Sequence, residues 1–278
     1  MKKKGVKLKT KTAAKRKKTA GRAGGAFGEL RAKTAGAAAA VRERVKRLSS
    51  PAHLGFGDRV SALLFPPRCM FCDEILEPGA RCEACGKRLA PLRLQGDARF
   101  KRGMEDKKLD GLDEAAACYV YAQDVAEAVI RYKFCGETGY FREMAACMAQ
   151  TLAQAVDTKR IGLVVQVPAF RADDTHSRLL AKRVAALIGA KFDPAALVKI
   201  APTRKQHELG RAERELNIRN AFDVPDRKRV EGKTVLICDD VVTSGCTLSE
   251  CARTLREAGA ASVVAAVFAS TRMGDTRP

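Results

Sequence analysis

The sequence predicts an α/β fold, with helices flanking a parallel sheet, preceded by a small four-cysteine module and a basic tail. In the C-terminal half, apolar runs of strand length alternate with helical patterns. Two Cys-x-x-Cys pairs lie nine residues apart in the first third of the chain. Residues 1–50 hold 17 of the 52 Lys and Arg residues but only 2 of the 32 acidic residues.

The stretch from Lys233 to Ser270 is the clearest unit of the sheet. Thr234 to Cys238 is a short β-branched, apolar run, typical of a buried parallel strand. A helical pattern runs from Leu248 to Ala258, and Ser262 to Phe268 reads as a second buried strand. Strand, helix and strand form one βαβ unit, and ligands of open α/β sheets bind beyond the carboxyl ends of the strands.

Two carboxylates, Asp239 and Asp240, come directly after the first of these strands. Five small residues follow two positions later: Thr243, Ser244, Gly245, Cys246 and Thr247. Small side chains let backbone N–H groups approach a phosphate, and the start of the next helix favours negative charge. Carboxylates beside such a loop suit sugar hydroxyls or Mg²⁺ bound to a diphosphate. The alternative is an ordinary turn between a strand and a helix.

The segment ICDDVVTSGCTL resembles the phosphoribosyl-pyrophosphate loop of type I phosphoribosyltransferases, an apolar run followed by D-D-x-x-T-[GST]-G-x-T. The order of the whole chain resembles the ComF family, amidophosphoribosyltransferase-like proteins associated with bacterial competence and DNA uptake. The resemblance covers the chain from Leu63 to Ser270. It implies a phosphoribosyltransferase-like domain over residues 114–271.

The four-cysteine module is expected over residues 63–93. Its ligands are Cys69, Cys72, Cys82 and Cys85. Two tight turns carrying four thiolates and no His suit structural Zn²⁺, and ComF proteins typically start with such a module. A redox dithiol or a pair of disulfides is the alternative.

Residues 1–50 are expected to be a disordered basic tail, with a helix possible from Phe27 to Leu48. The tail is either an electrostatic arm for nucleic acid or a solvated extension. Without an apolar signal segment or a run of 18 apolar residues, the sequence predicts no membrane span, and a cytoplasmic protein.

Further strands are expected at Ala115 to Tyr121, Leu163 to Pro168 and Ala196 to Ile200, and helices at Val125 to Phe134, Glu137 to Val156 and Arg178 to Leu187. The family resemblance singles out Lys133, at the end of the first of these helices. It is either a ligand of the diphosphate or a lysine favoured there by the helix dipole.

Two loops complete the comparison with the family. After the strand at Leu163, the Gly-Phe-Asn-Gln run of the family is missing, and Arg171, His176 and Arg178 are the remaining cationic or donor candidates. The later segment resembles the family's lid at Thr203, Gln206, Leu209, Arg214, Asn217, Ala221 and Phe222. Arg211 and Arg214 are either phosphate clamps or members of a salt-bridged surface helix, whereas Asn217 and Phe222 are expected to be structural.

The resemblance implies binding of phosphoribosyl pyrophosphate with Mg²⁺. Asp239 and Asp240 would hold the ribose hydroxyls, the loop from Thr243 to Thr247 would hold the 5′-phosphate, and Arg214 would assist catalysis. The sequence does not identify an acceptor for the phosphoribosyl group, so it does not decide whether the protein is an enzyme. The alternative is a non-catalytic adaptor in DNA uptake that binds single-stranded DNA and a helicase partner.

Overall fold

The computed structural model describes residues 34–48, 68–76, 82–94, 104, 107–134, 140–169, 175–201 and 217–271. The helices are α1 (34–48), α2 (Glu83–Arg88), α3 (Gln123–Phe134), α4 (Phe141–Ala155), α5 (Thr175–Ile188) and α6 (Cys246–Glu257). The strands are β1 (Glu114–Val120), β2 (Ile161–Gln166), β3 (Lys191–Phe192), β4 (Val198–Lys199), β5 (Phe222–Asp223), β6 (Thr234–Val242) and β7 (Ser262–Ser270).

The main sheet has the strand order β1-β7-β6-β2-β3, and every neighbouring pair is parallel. The expected parallel sheet flanked by helices is therefore confirmed. β6 and β7 lie at its centre and run side by side for their full length. Their carboxyl ends, at Val242 and Ser270, form the edge at which the acidic doublet lies.

The central strands are apolar because both faces of the sheet are covered. Alternate residues of a strand point to opposite faces. Leu236 and Cys238 of β6 pack in one core with α3, α4 and α5, whereas Val235 and Ile237 pack in the other core with α6. This double burial explains why β6 reads as a continuous apolar run.

The region around residues 191–200 differs from the prediction. The expected strand at Ala196 to Ile200 does not join the main sheet, because β4 is two residues long and pairs antiparallel with β5. The edge position beside β2 is taken by β3, another two-residue strand. Strands this short carry no readable periodicity.

The helix α1 covers residues 34–48 of the segment from Phe27 to Leu48, in which the sequence allows a helix. Ala37, Ala38 and Val41 are buried, and the last two pack in the core that contains α4 and α5. The guanidinium of Arg183 on α5 donates to the Leu48 carbonyl at 3.1 Å. The disorder predicted for residues 1–50 therefore does not extend to 34–48, and residues 1–33 lie outside the described residues. In the described ranges, no helix has both the length and the apolarity needed to cross a membrane.

Candidate ligand site and metal cluster

Asp239 and Asp240 are the sixth and seventh of the nine residues of β6, near the carboxyl edge of the sheet, rather than in the turn after it. Asp240 is 6% exposed, whereas Asp239 is partly exposed. Each carboxylate accepts a hydrogen bond from the next backbone amide: Asp240 N donates to Asp239 Oδ1 at 2.9 Å, and Val241 N donates to Asp240 Oδ1 at 2.7 Å. Both side chains are thus held against the end of the strand.

Lys133, in the last turn of α3, reaches this doublet from across the sheet edge. Its Nζ lies 2.6 Å from Asp240 Oδ2. Burial alone lowers the pKa of Lys133, but the charge and hydrogen bond of Asp240, together with the charges of Asp239 and Tyr121, outweigh burial and raise the pKa above its ordinary value. Lys133 therefore neutralises the buried carboxylate, and 38% of its side chain remains exposed to solvent.

The loop after β6 brings backbone donors to the same edge. Gly245 has a φ of +85°, and a Cβ at this position would lie 2.1 Å from the Lys108 carbonyl oxygen. Gly245 is also the N-cap of α6, and it supplies no side-chain cap. Within the described part of the chain, the amides of Thr243, Ser244 and Gly245 donate to no protein acceptor. These donors, at the positive end of a helix, suit a phosphate group.

The remaining loop residues lie in the first turn of α6. Cys246 N is 3.5 Å from Ser244 Oγ, the outer limit for a hydrogen bond, and the Cys246 side chain is buried. Thr247 is partly exposed. The structure thus brings Lys133, the acidic doublet and the whole small-residue loop to one edge of the sheet.

Lys107 and Lys108 border this loop, and reasoning from the sequence missed them. Lys107 Nζ donates to Thr271 Oγ1 at 3.3 Å, directly beyond β7. Lys108 N donates to the Ser244 carbonyl at 2.9 Å, and Ser249 Oγ donates to the Lys108 carbonyl at 2.8 Å. The two adjacent lysines were a visible signal, but they lie in the polar stretch between the cysteine module and β1, which carries no motif.

Other predicted site residues are not brought to this edge, or lie outside the described residues. Arg171, Thr203, Gln206, Leu209, Arg211 and Arg214 belong to the second group. His176 is the second residue of α5, and its ring packs edge-on against Tyr132 with centroids 5.2 Å apart. Arg178 is exposed on α5. Phe222 is buried, as its expected structural role requires.

The four cysteines of the predicted module form a compact cluster. The sulfur atoms of Cys69, Cys72, Cys82 and Cys85 all lie within 4.8 Å of one another. The sulfurs of Cys72 and Cys82 are 3.7 Å apart. Zn–S bonds of about 2.3 Å in a tetrahedron place sulfurs about 3.8 Å apart. Burial raises the pKa of the Cys69 thiol to about 11, whereas the Cys85 amide lowers the pKa of Cys82. This set of donors fits a metal ion.

The cysteine cluster packs directly on the parallel sheet and on α4. Phe71, between the first two cysteines, contacts Tyr119 of β1 and Phe268 of β7, with ring centroids 5.6 Å and 6.3 Å away. Met70 N donates to the carboxylate of Glu143 on α4 at 3.0 Å. The aromatic contacts are each worth about 0.5–1.5 kcal/mol beyond their buried area. The module and the sheet therefore share one hydrophobic core.

Parts of this chain resemble known proteins. Residues 171–278 match the phosphoribosyl transferase domain family. The DNA utilization protein YhgH of Salmonella typhimurium (strain LT2) is 33% identical over 135 residues, which cover 44% of this chain and 58% of that protein. YhgH of Escherichia coli (strain K12) is 34% identical over 107 residues, covering 36% and 45%. These matches identify a phosphoribosyl transferase domain over residues 171–278, and they support the resemblance to the ComF family. The chain spans about half the length of these relatives.

The matched part of the chain contains the acidic doublet and the loop, but not Lys133 or the four clustered cysteines. Among solved structures, the chain is similar to glutamine phosphoribosylpyrophosphate amidotransferase from B. subtilis, complexed with ADP and GMP. That similarity has a TM-score of 0.34 and 23% identity, and covers 49% of this chain and 30% of the other. The allosteric regulatory enzyme of purine biosynthesis gives a TM-score of 0.33 and 24% identity, covering 50% and 29%.

Proposed function

We propose that this protein binds phosphoribosyl pyrophosphate at the carboxyl edge of its sheet. The observation that supports this most is the loop, with backbone amides beside the uncapped N-terminus of α6. In the proposal this loop takes the 5′-phosphate. In the proposal, the hydroxyls of the ribose donate to the carboxylates of Asp239 and Asp240, which come just before the loop in the chain.

The cationic groups around the loop supply the rest of the binding. Lys133 pairs with Asp240 and 38% of its side chain is exposed, and in the proposal its ammonium group also contacts the diphosphate. Lys107 adds positive charge beyond β7. Because Asp239 is partly exposed whereas Asp240 is buried and paired with Lys133, we assign Asp239 as the carboxylate that would face Mg²⁺. Bound Mg²⁺ would neutralise the diphosphate leaving group.

If the protein transfers the phosphoribosyl group, its carboxylates have a second role. The anomeric carbon becomes positively charged as pyrophosphate leaves, and nearby carboxylates stabilise that charge. Arg214 is proposed to clamp phosphate oxygens from the lid. The acceptor is left unassigned, because no described residue beside the loop points to one chemical class of nucleophile.

Calorimetric titration with phosphoribosyl pyrophosphate and Mg²⁺ tests the proposal. We expect saturable binding by the wild type and at least tenfold weaker binding by the Asp239→Asn/Asp240→Asn variant. The matched control is Asp223→Asn/Asp226→Asn, two exposed acids that belong neither to β6 nor to the loop. Equal affinity of the site variant and the wild type would exclude this site. Pyrophosphate release with a panel of purine and pyrimidine bases would then test transfer.

The cysteine cluster is proposed to hold structural Zn²⁺. Four thiolates at these separations match tetrahedral coordination, and no open position is left for a substrate. Metal analysis of the purified protein should give one zinc per chain, and Cys82→Ser should abolish it. A protein that retains its fold after complete chelation would contradict a structural role.

A nucleic-acid adaptor is the second candidate, and a basic face of the fold favours it. The basic face consists of the exposed cations of α1 and α5: Arg42, Lys46, Arg47, Arg178 and Lys182. Its two helices contain one acidic residue, Glu43. The basic face contains none of the exposed large apolar residues of the described part, which are Ile75, Ile130 and Ile200. Cations without apolar anchors suit a phosphate backbone rather than a membrane. The relatives' name, DNA utilization protein, supports this candidate, and a helicase is its proposed partner.

Fluorescence anisotropy with a labelled single-stranded oligonucleotide tests the adaptor. Lys46→Ala/Arg47→Ala should weaken binding and reduce the slope of log affinity against log salt by about 0.7 per lost contact. The control is Arg227→Ala/Lys228→Ala, a matched exposed pair elsewhere on the surface. Deletion of residues 2–33 measures how much the tail contributes to the affinity for single-stranded DNA. If both pairs have the same effect, the basic face has no special role.

A further inference from the structure

The last turn of α3 connects the metal cluster to the proposed ligand site. Arg131 donates from its guanidinium to the Phe71 carbonyl at 2.7 Å. Phe71 lies between Cys69 and Cys72, so this carbonyl belongs to the turn that carries two of the proposed metal ligands. Arg131 therefore fastens the end of α3 to the cysteine module.

The next two residues of α3 contact two other parts of the fold. The buried Tyr132 donates from its hydroxyl to the His176 carbonyl, in the first turn of α5, at 2.6 Å. Lys133 then reaches Asp240 of β6. Successive helix residues point about 100° apart, which is why three neighbours reach three different elements.

These contacts matter because α3 ends at Phe134, one residue after Lys133. The last turn of a helix frays, and a lysine side chain has four rotatable bonds. Without fixed neighbours, Lys133 would spend time away from Asp240. Arg131 and Tyr132 hold the backbone of this turn from two sides, and so limit where the ammonium group can go.

We propose that Arg131 and Tyr132 are positioning residues, which act on the phosphorylated ribose through Lys133. This inference rests on the proposed function. It adds that the cysteine module, which supplies the Phe71 carbonyl, contributes to ligand affinity without touching the ligand. Loss of the metal would act in the same direction, because it would release the turn that Arg131 holds.

A double-mutant cycle in the full-length, zinc-loaded protein tests this inference, with phosphoribosyl pyrophosphate and Mg²⁺ as the probe. We expect Lys133→Met to weaken binding about tenfold or more and Arg131→Met about three- to tenfold. In the Lys133→Met background, Arg131→Met should have no further effect, because the residue through which it acts is gone. A merely structural role would give the same loss in both backgrounds, and additive losses would overturn the inference.

Two further variants make the test specific. Arg227→Met is the control, because Arg227 also donates to a backbone carbonyl, that of Glu257, away from the ligand edge. It should leave affinity unchanged. Tyr132→Phe, which spares the cysteine module, should repeat the non-additive loss if Arg131→Met lowers the zinc content. If the wild type fails to bind the probe, the proposed function fails. If the wild type binds but both cycles are additive, only this inference fails.

Discussion

Replacing Gly245 by alanine tests how closely the loop depends on its neighbour. Gly245 has a φ of +85°, and its added Cβ would lie 2.1 Å from the Lys108 carbonyl oxygen. Gly232 provides the matched control, since its φ is +68° and a Cβ there would meet nothing within 4 Å. The first change adds backbone strain and a steric overlap, whereas the second adds the strain alone.

The two changes should therefore differ in size. A left-handed conformation costs a non-glycine residue about 1–2 kcal/mol. The overlap at Gly245 requires the backbone to move by about 1 Å, and overpacking of this kind costs about 1–3 kcal/mol more. We expect Gly232→Ala to lower the free energy of unfolding by about 1–2 kcal/mol, and Gly245→Ala by about 2–5 kcal/mol.

Urea unfolding of the three proteins at neutral pH measures this difference, and calorimetric titration measures its effect on the site. Gly245→Ala should also weaken binding of phosphoribosyl pyrophosphate, because the loop must shift, whereas Gly232→Ala should not. Equal losses of stability in the two variants, or unchanged binding in Gly245→Ala, would refute the reasoning.

Three further predictions concern stability and metal binding. Lys133→Met should lower the free energy of unfolding at pH 7 by about 1–3 kcal/mol, a range that allows for the partial exposure of Lys133. The folded-state pKa of Lys133 lies above 10.5. This loss of stability should therefore be complete below pH 10 and vanish as the pH rises through that pKa. Glu250→Gln removes the carboxylate that accepts from Asn220 N at 2.6 Å and pairs with Arg253. Burial alone raises the pKa of Glu250, but those hydrogen bonds lower the pKa below 4.5. The variant should therefore lose about 1 kcal/mol of unfolding free energy at pH 7, and this loss should fade as the pH falls through the folded-state pKa. Urea unfolding across pH measures both, and a deficit independent of pH would contradict either. Cys72→Ser should reduce bound zinc from one per chain to none and lower the melting temperature, and a full complement of zinc would contradict the four-thiolate site.

Local patterns in the sequence predicted the centre of the fold. The run from Thr234 to Cys238 and the helical spacing after Gly245 depend on burial and on near neighbours in the chain, and both elements are found. Their ends were less predictable, since β6 continues to Val242 and carries the acidic doublet inside the strand. A strand ends where its hydrogen bonds to neighbouring strands end. Those neighbours lie elsewhere in the chain, so the end cannot be predicted from the segment alone.

Contacts between distant residues account for what the sequence did not predict. Lys133 and Asp240 are 107 positions apart, and only the sheet brings them together. The packing of α1 was hidden because three small or short side chains, Ala37, Ala38 and Val41, give a weak apolar signal within a basic segment. Lys108 lies in a polar stretch without periodicity, so the sequence gives no sign that its carbonyl faces Gly245.

The most direct measurement for the central claim compares ribose 5-phosphate with 2-deoxyribose 5-phosphate in calorimetric titrations. The loop should hold the phosphate of both compounds, but Asp239 and Asp240 can accept from the 2-hydroxyl of ribose alone. A site built to bind a hydroxyl rejects the analogue that lacks it, so we predict at least tenfold weaker binding of the deoxy sugar. That ratio should shrink in Asp239→Asn/Asp240→Asn. Equal binding of the two sugars by the wild type would contradict recognition of ribose by the acidic doublet.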